Sequence, residues 1–533
     1  MRAEWGAIIF GGDYFMNKNI LMLGAALALT VFGANAQTVQ TSGTSGNITW
    51  SVENGVLTIS GNGSMPNYNH ANTSKKTGST APWYDLRDQI TSVVVEQGVT
   101  SVGNYAFRDL SHADTISLPT TGLTYIGQTS FENTTSLKSM TIPDSVTTMG
   151  NWAFQTKPGQ TSQLTSLTIG SGLTSIGESA FANAGNLTEL TISSSVTSIG
   201  KNAFQNASNL ETLVIPNNVT SLGEGAFQNA SSLKYLTLSD NLGTIPVHAF
   251  ENAVNLEVLK LPAKANGKIM EGAFSHAEKL TTIDFGGVTE IGNKAFAYNY
   301  KLKELVIPDT VTTIGGNTFK DATSLTTLVI GDGVTELGQE AFLGNTALTS
   351  LTIGKSLASL GTDCFKNSPI TELTIDPKST HLDVIAGFFK DRSPAITKIN
   401  CLGDDRSACD AAMAAAGWDI SEIAGDGNVT KPAPASLTAA DVQPPVQQPA
   451  AEEPQGEQGG SGEQGGSGDE VTNNEEQGGE ATPGNQASAE PEIVTNPSAG
   501  FNRDASRFSN KIYTVNEANL AAGRKNRVMI RYR

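Results

Sequence analysis

Cysteine and histidine are scarce in this chain of 533 residues, which contains three cysteines and five histidines. Disulfide-dense scaffolds need many cysteine pairs, and zinc-rich proteins need clusters of cysteine and histidine, so both classes are excluded. The sequence also lacks the motifs of a serine–histidine–aspartate triad, a zinc site and a dinucleotide-binding loop. We therefore predict a non-enzymatic protein, with no catalytic residue, metal ligand or cofactor.

Charged residues are also few, at 16% of the chain against roughly 25% in ordinary soluble proteins. They are unbalanced, because 34 basic and 52 acidic residues give a net charge of −18. Nucleic-acid-binding proteins need a basic face to neutralise phosphates, so no nucleic-acid partner is predicted. Glycine and proline are abundant, with 55 and 21 residues, which indicates many turns and argues against a helical bundle.

Long apolar runs are missing, apart from one short stretch near the N-terminus. Lys18 is followed by a largely apolar run at 20–33 and by a small-x-small triplet at 34–36. These are the three parts of a secretory signal, and the apolar run is too short to span a bilayer comfortably. We predict a leader over residues 1–36, with its true start at Met16, and an exported protein without a transmembrane span.

The middle of the chain is a single repeat, marked by phenylalanines that recur at intervals of mostly 23 residues. The series is Phe107, Phe131, Phe154, Phe181, Phe204, Phe227, Phe250, Phe274, Phe296, Phe319, Phe342 and Phe365. A glycine stands four residues earlier in ten of the twelve units, and the exceptions are Pro246 and Met270. Each unit begins with alternating leucine and isoleucine, typical of a strand with one buried face. Stacked units can bury these residues continuously, which predicts a solenoid that is mostly β with short helical turns.

The repeat resembles the leucine-rich repeat of the BspA-like family, a group of secreted bacterial surface proteins. The family pattern is Leu-x-x-Leu-x-Ile-Pro-x-x-Val-Thr-x-Ile-Gly-x-x-Ala-Phe, and residues 210–227 follow it with Leu222 in place of the second isoleucine. The resemblance implies a leucine-rich repeat solenoid capped at both ends. It also implies a binding role, because relatives are implicated in binding extracellular matrix proteins and in coaggregation.

Composition divides the chain into regions. In chain order the predictions are a leader at 1–36, an N-terminal cap with a β-hairpin around Asn54-Gly55 at 37–89, the solenoid at 90–400, a C-terminal cap helix at 401–425, an acidic disordered linker at 426–502 and a small basic segment at 503–533. Within the C-terminal cap, Cys401 and Cys409 would form a disulfide in an oxidising compartment, and two free buried thiols are the alternative.

The end of the chain differs from the solenoid in composition. Between Pro432 and Asn502 there are twelve acidic residues and no lysine or arginine, and glycine, proline and glutamine are frequent. Such sequence cannot bury a core, which predicts a solvated linker. Residues 503–533 have a net positive charge instead, with eight basic residues against two acidic ones. This segment is the candidate for attachment to the cell envelope; a small module with another role and a basic tail lying against the linker or solenoid are the alternatives.

The outward positions of the first strand in each unit form two columns. The first is Ser139, Ser166, Glu189, Thr212, Tyr235, Val258, Thr282, Glu304, Thr327, Ser350 and Glu372. The second is Thr141, Thr168, Thr191, Val214, Thr237, Lys260, Asp284, Val306, Val329, Thr352 and Thr374. The high β-sheet propensity of short β-branched and hydroxyl residues is one explanation for their frequency on this solvent-exposed face. A contact face for an extended protein or a glycan is the alternative, and Tyr235, Lys260, Asp284 and Glu304 are its candidate ligand-binding residues.

Two function classes remain open from the sequence. The first is a secreted or cell-surface binding protein, adhesin-like, whose ligand is an extracellular protein or glycan such as a matrix protein or mucin. The second is a structural spacer of the envelope, with the solenoid as a rod and the linker as a stalk. Both place the protein outside the bacterial cytoplasm, at the cell surface, in the medium or in the periplasm.

Overall fold

A computed structural model describes the greater part of the chain. The described residues are 40–444, except for 72–73, 75–76, 265, 390–392, 404–405 and 419–427. The predicted leader, the greater part of the predicted linker from residue 445 onward, and the basic segment at 503–533 lie outside the described residues.

The described residues form a β-solenoid of about thirteen turns, each turn here being called a coil and named by its phenylalanine. In chain order the strands are β1 Ser42–Ser45, β2 Ile48–Glu53, β3 Val56–Gly61, β4 Gly63–Ser64, β5 Ser92–Val95, β6 Val99–Val102, β7 Thr115–Ser117, β8 Tyr125–Ile126, β9 Ser139–Ile142, β10 Thr148–Met149, β11 Ser166–Ile169, β12 Ser175–Ile176, β13 Glu189–Thr191, β14 Ser198–Ile199, β15 Thr212–Val214, β16 Ser221–Leu222, β17 Tyr235–Thr237, β18 Thr244–Ile245, β19 Val258–Lys260, β20 Gly267–Ile269, β21 Thr282–Asp284, β22 Val288–Ile291, β23 Glu304–Val306, β24 Thr313–Ile314, β25 Thr327–Val329, β26 Glu336–Leu337, β27 Ser350–Ile353, β28 Ser359–Leu360, β29 Glu372–Ile375, β30 Lys398–Leu402 and β31 Asn428–Val429. The helices are a 3-10 helix at Tyr84–Gln89, α1 at Leu382–Phe389 and α2 at Arg406–Ala415.

Two ladders of parallel strands run the length of the solenoid, and ladder A begins with the antiparallel cap strands β1, β2 and β3. The first strand of each coil belongs to ladder A and the second to ladder B. The hydrogen-bonded runs of ladder A are β1-β2-β3-β5-β7, β9-β11-β13, β15-β17, β19-β21 and β23-β25-β27-β29-β30-β31; those of ladder B are β4-β6-β8-β10, β12-β14-β16 and β18-β20-β22-β24-β26-β28. The alternation predicted from sequence is present, as in β11, where Leu167 and Ile169 are buried and Ser166 and Thr168 point outward. The prediction of a stacked leucine-rich solenoid is confirmed.

The repeating phenylalanines form one continuous stack inside the solenoid. Neighbouring rings are nearly parallel, and their centroids are 5.4 Å apart for Phe181 and Phe204 and 5.1 Å apart for Phe204 and Phe227. The backbone around each ring bonds to the next coil as well, since the amide of Phe181 donates to the carbonyl of Ala203 at 2.8 Å. This third line of contacts closes the coil on the side away from the two ladders.

Residues two positions before and after each phenylalanine mostly adopt positive φ, which the sequence analysis did not anticipate. Around Phe204 these are Asn202, with φ of 53°, and Asn206, with φ of 64°. Asparagine tolerates this left-handed conformation better than most residues. The asparagines also form a side-chain ladder, in which Asn206 donates to Asn183 and Asn229 donates to Asn206, both at 2.6 Å.

The glycine before each phenylalanine is required by close packing between coils. A Cβ placed on Gly200 would lie 2.8 Å from the backbone nitrogen of Glu178 in the preceding coil, and one on Gly315 would lie 2.7 Å from that of Asn293. Neither glycine has positive φ. The reason for these glycines is therefore contact with the neighbouring coil as well as the shape of the turn.

The N-terminal end is closed by the predicted hairpin and a tryptophan. Strands β2 and β3 pair in antiparallel register around Asn54 and Gly55, which both have positive φ, as expected for an Asn-Gly turn. Trp83 is fully buried, stacks on Phe107 at 5.8 Å and donates its indole N–H to the carbonyl of Ala106 at 2.7 Å. Trp83 therefore extends the phenylalanine stack by one position into the cap.

The C-terminal end contains the expected helix and one unexpected helix. Helix α2 lies within the region where a cap helix was predicted, and the structure joins Cys401 to Cys409 by a disulfide, with Cα atoms 6.1 Å apart. Helix α1 was not predicted. It brings Phe388 and Phe389 against Phe365, at centroid distances of 6.1 and 5.9 Å, and so ends the phenylalanine stack with apolar rings.

The predicted start of the linker differs from the structure. We placed the linker from residue 426, but residues 428–444 lie against the solenoid, beginning with β31, which pairs with β30. We call residues 428–444 the return segment. It contains Lys431 and the apolar residues Leu437 and Val442, and of the twelve acidic residues only Asp441 falls within it. Its composition therefore permits packing that the glutamate-rich sequence beyond it does not favour.

Candidate functional site

The outward side of ladder A carries the residues that the sequence analysis proposed for ligand binding, and we call it the strand face. The register aligns its two columns from coil to coil, since Val214 lies opposite Thr237 and Val306 lies opposite Val329. Lys260 and Asp284 are direct neighbours in the second column, on β19 and β21. The strand face is therefore a regular two-column surface.

The four candidate residues lie on this face but not in one cluster. Tyr235 and Glu304 are in the first column, whereas Lys260 and Asp284 are in the second. Tyr235 is half-buried beneath the ammonium group of Lys234, which lies 5.4 Å from its ring centroid. Glu304 is exposed. The structure brings only Lys260 and Asp284 side by side.

Exposure of the second column changes along the solenoid. Val214 in the Phe227 coil is 41% exposed, whereas Val329, the same residue type at the same position in the Phe342 coil, is 1% exposed. Thr352 and Thr374, in the next two coils, are also buried. The repeat itself cannot cause this difference, because the strands have the same register and the same inward residues.

The return segment contacts the Phe342 coil, which contains the buried Val329, and the two coils that precede it. After β31, the Lys431 ammonium group binds Asp309 Oδ1 at 2.6 Å and Asp332 Oδ1 at 3.1 Å. Further along, the amide of Leu437 donates to Asp284 Oδ2 at 2.9 Å. These contacts fall in three successive coils and proceed toward the N-terminal end, so the segment crosses the strand face from coil to coil.

Hydrogen bonds and nearby charges along the crossing lower the pKa values of two aspartates. The hydrogen bond from Lys431 holds the pKa of Asp309 below its usual value. Hydrogen bonds from the side chain and backbone of Thr438, with a smaller contribution from the nearby charge of Lys260, lower the pKa of Asp441. Asp284 is therefore engaged by the protein's own chain, and Lys260 lies near enough to Asp441 for its charge to act on that carboxylate. The candidates outside these interactions are Tyr235 and Glu304.

The sequence analysis missed the return segment because it assigned residues 426–502 to the linker as a whole. A signal was available in the charge pattern. Lys431 is the last basic residue before the long stretch without lysine or arginine. Asp309 and Asp332 occupy the same position in neighbouring coils. An isolated lysine and an isolated pair of aspartates have opposite charges, and this complementarity would have suggested the contact of Lys431 with Asp309 and Asp332.

An open groove of about 550 Å³ lies on ladder B, where the two missing glycines fall. Met270, which replaces a glycine, is exposed at its edge, and the pairing of β20 with β22 contains a bulge. Most of its charged side chains are paired, as Lys268 with Glu290 at 2.8 Å and Lys294 with Glu271 at 3.8 Å. The irregular spacing of these coils therefore produces a shallow, solvated groove.

A buried polar cluster joins the N-terminal cap to the first coils. Arg108 is buried and lies 2.6 Å from Glu132, while Asp109 accepts hydrogen bonds from Tyr84, Asn133 and Lys157. Burial would raise the pKa of Asp109, but the bonds from Asn133 and Lys157 hold it below its usual value. Burial and the nearby Asp109 raise the pKa of Tyr84 to about 12. The cluster is a network of hydrogen bonds and ion pairs that joins the cap to the first coils of the solenoid.

The described part of the chain contains neither a metal-binding cluster nor a membrane-spanning helix. Among residues 40–444, outside the gaps given above, no group of three or more histidine, cysteine, aspartate or glutamate side chains is placed to hold a metal ion. Within the same residues, no helix is both long enough and apolar enough to cross a bilayer.

Comparison with known proteins agrees with this architecture. The model of the BspA type leucine rich repeat region matches residues 83–159, 159–281 and 267–393. A search of curated proteins found no match. Similar solved structures include a leucine-rich repeat protein from Bacteroides ovatus, with 18% identity, a TM-score of 0.48 and coverage of 68% of this chain and 100% of that one.

Two further structures have the same general similarity. A leucine rich cell surface protein from Faecalibacterium prausnitzii has 22% identity and a TM-score of 0.38, and the match covers 63% of this chain and 95% of that one. The pneumococcal vaccine antigen PcpA has 18% identity and a TM-score of 0.36, with coverage of 74% and 99%. Because the repeat model spans more than half of the residues, the chain belongs to the BspA-type leucine-rich repeat family.

Proposed function

We propose that this protein is an exported, adhesin-like binding protein that uses the strand face to contact host or bacterial proteins or glycans. The observation that carries the proposal is the strand face itself, which presents two aligned columns of side chains over successive coils. A surface of this kind suits an extended ligand, since neighbouring coils repeat the same contacts along one line. Family membership supports the same reading.

The open part of the strand face is the proposed recognition surface. It includes Tyr235, an aromatic side chain of the type enriched in binding hot spots, and the exposed Val214. Exposed apolar side chains of this size are uncommon on the described part of this protein, where Val214 and Met270 are the large hydrophobic residues with most exposure. Val214 and Tyr235 lie on paired strands, β15 and β17, and so form one patch.

A pull-down tests the proposal. The chain from residue 37 onward is incubated with immobilised extracellular matrix proteins and mucin, and binding is compared with that of Val214→Thr/Tyr235→Thr. We expect the double variant to bind about tenfold more weakly, because it loses an aromatic anchor and its apolar neighbour. A matched pair on ladder B, Lys268→Thr/Glu336→Thr, should bind as the parent does. Melting temperatures should be nearly equal, because exposed substitutions change stability by under about 0.5 kcal/mol.

Two outcomes would contradict the proposal in different ways. Equal loss in both double variants would move recognition away from the strand face. No binding to any matrix protein or mucin in the panel would favour the alternative function, a structural spacer of the envelope.

Attachment to the envelope is the second part of the proposed function. We propose that the leader at 1–36 directs export and that residues 503–533 hold the protein at the surface. The basic segment follows an acidic stretch and has the opposite charge, which gives it a distinct chemistry for a surface receptor. Deleting 503–533 and fractionating cells tests this: release of the protein into the medium supports it, and normal surface amounts reject it.

A further inference from the structure

The return segment contacts three coils in succession, and its lysine anchor is specific to two of them. The position held by Asp309 and Asp332 is occupied in the other coils by Gln97, Thr120, Asp144, Ser171, Ser194, Asn217, Asp240, Ala263, Gly287, Lys355 and Pro377. Asp309 and Asp332 are the one neighbouring acidic pair in this series. In the coils on either side of the pair, this position is held by Gly287 and Lys355. A cation therefore meets two neighbouring carboxylates here, but not if it is shifted by one coil.

Lys431 lies between these two carboxylates, and its contacts are those of a binding anchor. Its side chain is 22% exposed, although lysine side chains usually extend into solvent, and it bonds to both carboxylates. Charge-assisted hydrogen bonds of this type are stronger than neutral ones. Lys431 therefore fixes the register of the segment on the strand face.

The backbone of the segment suits an extended ligand. Pro432 and Pro434 have no amide hydrogen and favour extended conformations, so this stretch leaves few donors to satisfy. The amide of Leu437 is satisfied by Asp284 at 2.9 Å, and that of Thr438 by Asp441 at 2.7 Å. Beyond this turn Val442 is 3% exposed, which gives the segment an apolar anchor at its far end.

We infer that the strand face from Asn400 to Lys260 is a docking groove for an extended, proline-containing peptide with a lysine, and that residues 428–444 occupy it in cis. The inference deepens the proposed function and rests on it, since it takes the strand face as the recognition surface and names a ligand class. Any external peptide of this chemistry must displace the return segment. The open coils around Val214 carry no such occupant.

The cis segment has an advantage over an external peptide. Because it is tethered, its effective concentration at the groove is in the millimolar range for a flexible connection. A free peptide of the same sequence should therefore bind poorly to the parent protein. It should bind well once the cis segment has been released by a change that leaves the groove intact, and Lys431→Glu is such a change because it reverses the charge that Asp309 and Asp332 hold.

The first experiment measures exposure of the groove. Val329→Cys and Val214→Cys are made in the chain from residue 37 onward, and maleimide labelling rates are compared, with the parent as blank because Cys364 is buried. We expect Val329→Cys to label slowly and Val214→Cys quickly. Adding Lys431→Glu should speed labelling at 329 by about tenfold or more, because local opening then becomes easy, and leave labelling at 214 unchanged. Equal rates at 329 with and without Lys431→Glu would overturn the in-cis docking.

The second experiment measures the ligand class. A fluorescent synthetic peptide of residues 428–444 is titrated by anisotropy onto the parent, onto Lys431→Glu and onto Lys431→Glu/Asp309→Asn/Asp332→Asn. We expect affinity for Lys431→Glu to exceed that for the parent by about tenfold or more, and the triple variant to lose this gain. Equal affinity for all three proteins, or no binding, would overturn the peptide groove.

The two sets of tests separate the two ideas. Peptide binding to Lys431→Glu without any binding to matrix protein or mucin would retain the groove and reject the adhesin-like function. Binding to those ligands that is unaffected by the groove substitutions would retain the function and assign it to the open coils.

Discussion

The open coils and the covered coils have the same backbone but opposite surfaces. Val214 and Val329 occupy equivalent positions on β15 and β25, and their exposed fractions are 41% and 1%. We attribute the difference to the return segment, whose Lys431 bonds to Asp332, three residues after Val329, and which lies far away in sequence. In a repeat protein, then, the surface of one coil cannot be read from its repeat alone, because a segment outside the repeat can change it.

The inner side of the two regions is the same. Phe204 in the open region and Phe342 in the covered region are both fully buried, and each stacks on its neighbours at 5.1 to 5.4 Å. The return segment contributes nothing to these contacts. Stability should therefore depend on the core in both regions, and recognition on the faces that differ.

The largest expected effect tests this shared core. Phe204→Ala and Phe342→Ala should each lower the free energy of unfolding by about 3–5 kcal/mol, because each leaves a cavity in the ring stack. Urea unfolding followed by circular dichroism gives the two values. The cost of such core substitutions varies from site to site. If the two free energies differed by much more than this variation, the covered coils would differ from the open coils in their core as well as on their surface.

The next effect concerns the end of the solenoid from which the return segment starts. Cys409→Ser removes the bond to Cys401, whose strand position pairs with the first residue of β31. Closing a short loop of this kind contributes about 2–3 kcal/mol, so we expect a loss of that size in urea unfolding. Labelling of Val329→Cys should also become faster, while labelling of Val214→Cys stays constant. An unchanged rate at 329 would mean that docking does not depend on the cap.

Local pattern was enough to predict most of the fold. The phenylalanine stack, the hairpin at Asn54-Gly55 and the helix near the chain's last coil each follow from residues that are close in sequence. Helix α1 escaped prediction because its apolar residues fall within the range assigned to the solenoid. The asparagine ladder was readable, since Asn206 and Asn229 recur two residues after the phenylalanine, but its positive φ became evident only with the coil closed.

Site prediction was limited for a different reason. The return segment binds through Lys431 to residues 122 and 99 positions earlier in the chain. No periodicity links such positions, and the composition of the following sequence indicated a linker. The candidate residues Lys260 and Asp284 were selected for their unusual chemistry on a hydroxyl-rich face, and Asp284 accepts its hydrogen bond from the protein's own chain. Whether they and the other candidates bind a ligand stays a prediction.

A smaller effect is expected from the asparagine ladder, which marks the open region. Asn229 has φ of 65°, donates to Asn206 and accepts from Asn252 at 2.7 Å. In the covered region the same column contains Asp321 and Gly344. Asn229→Ala should cost about 1–2 kcal/mol, because it loses two hydrogen bonds and places a Cβ-bearing residue without a local partner at positive φ.

The glycine variant separates these two causes. Asn229→Gly loses the same hydrogen bonds but has no steric penalty at positive φ, so it should be less destabilising than Asn229→Ala. Urea unfolding of both variants supplies the comparison. If the glycine variant were the less stable of the two, strain at this position would be ruled out and the loss would lie in the side-chain ladder.

The smallest expected effect is the pH dependence of the covered region. The hydrogen bond from Lys431 lowers the pKa of Asp309, and Thr438 lowers that of Asp441. A carboxylate with a depressed pKa stabilises the docked state at pH values above its usual pKa, and this contribution is lost as pH falls through the lowered value. Docking should therefore be constant at neutral pH and weaken only below about pH 4. Hydrogen exchange at the Leu437 amide, corrected for the intrinsic pH dependence, should show protection lost in acid, whereas amides of β15 keep theirs. Asp309→Asn should reduce protection already at neutral pH; protection that persisted there, together with a flat acid profile, would show that the carboxylate pair does not hold the segment on the strand face.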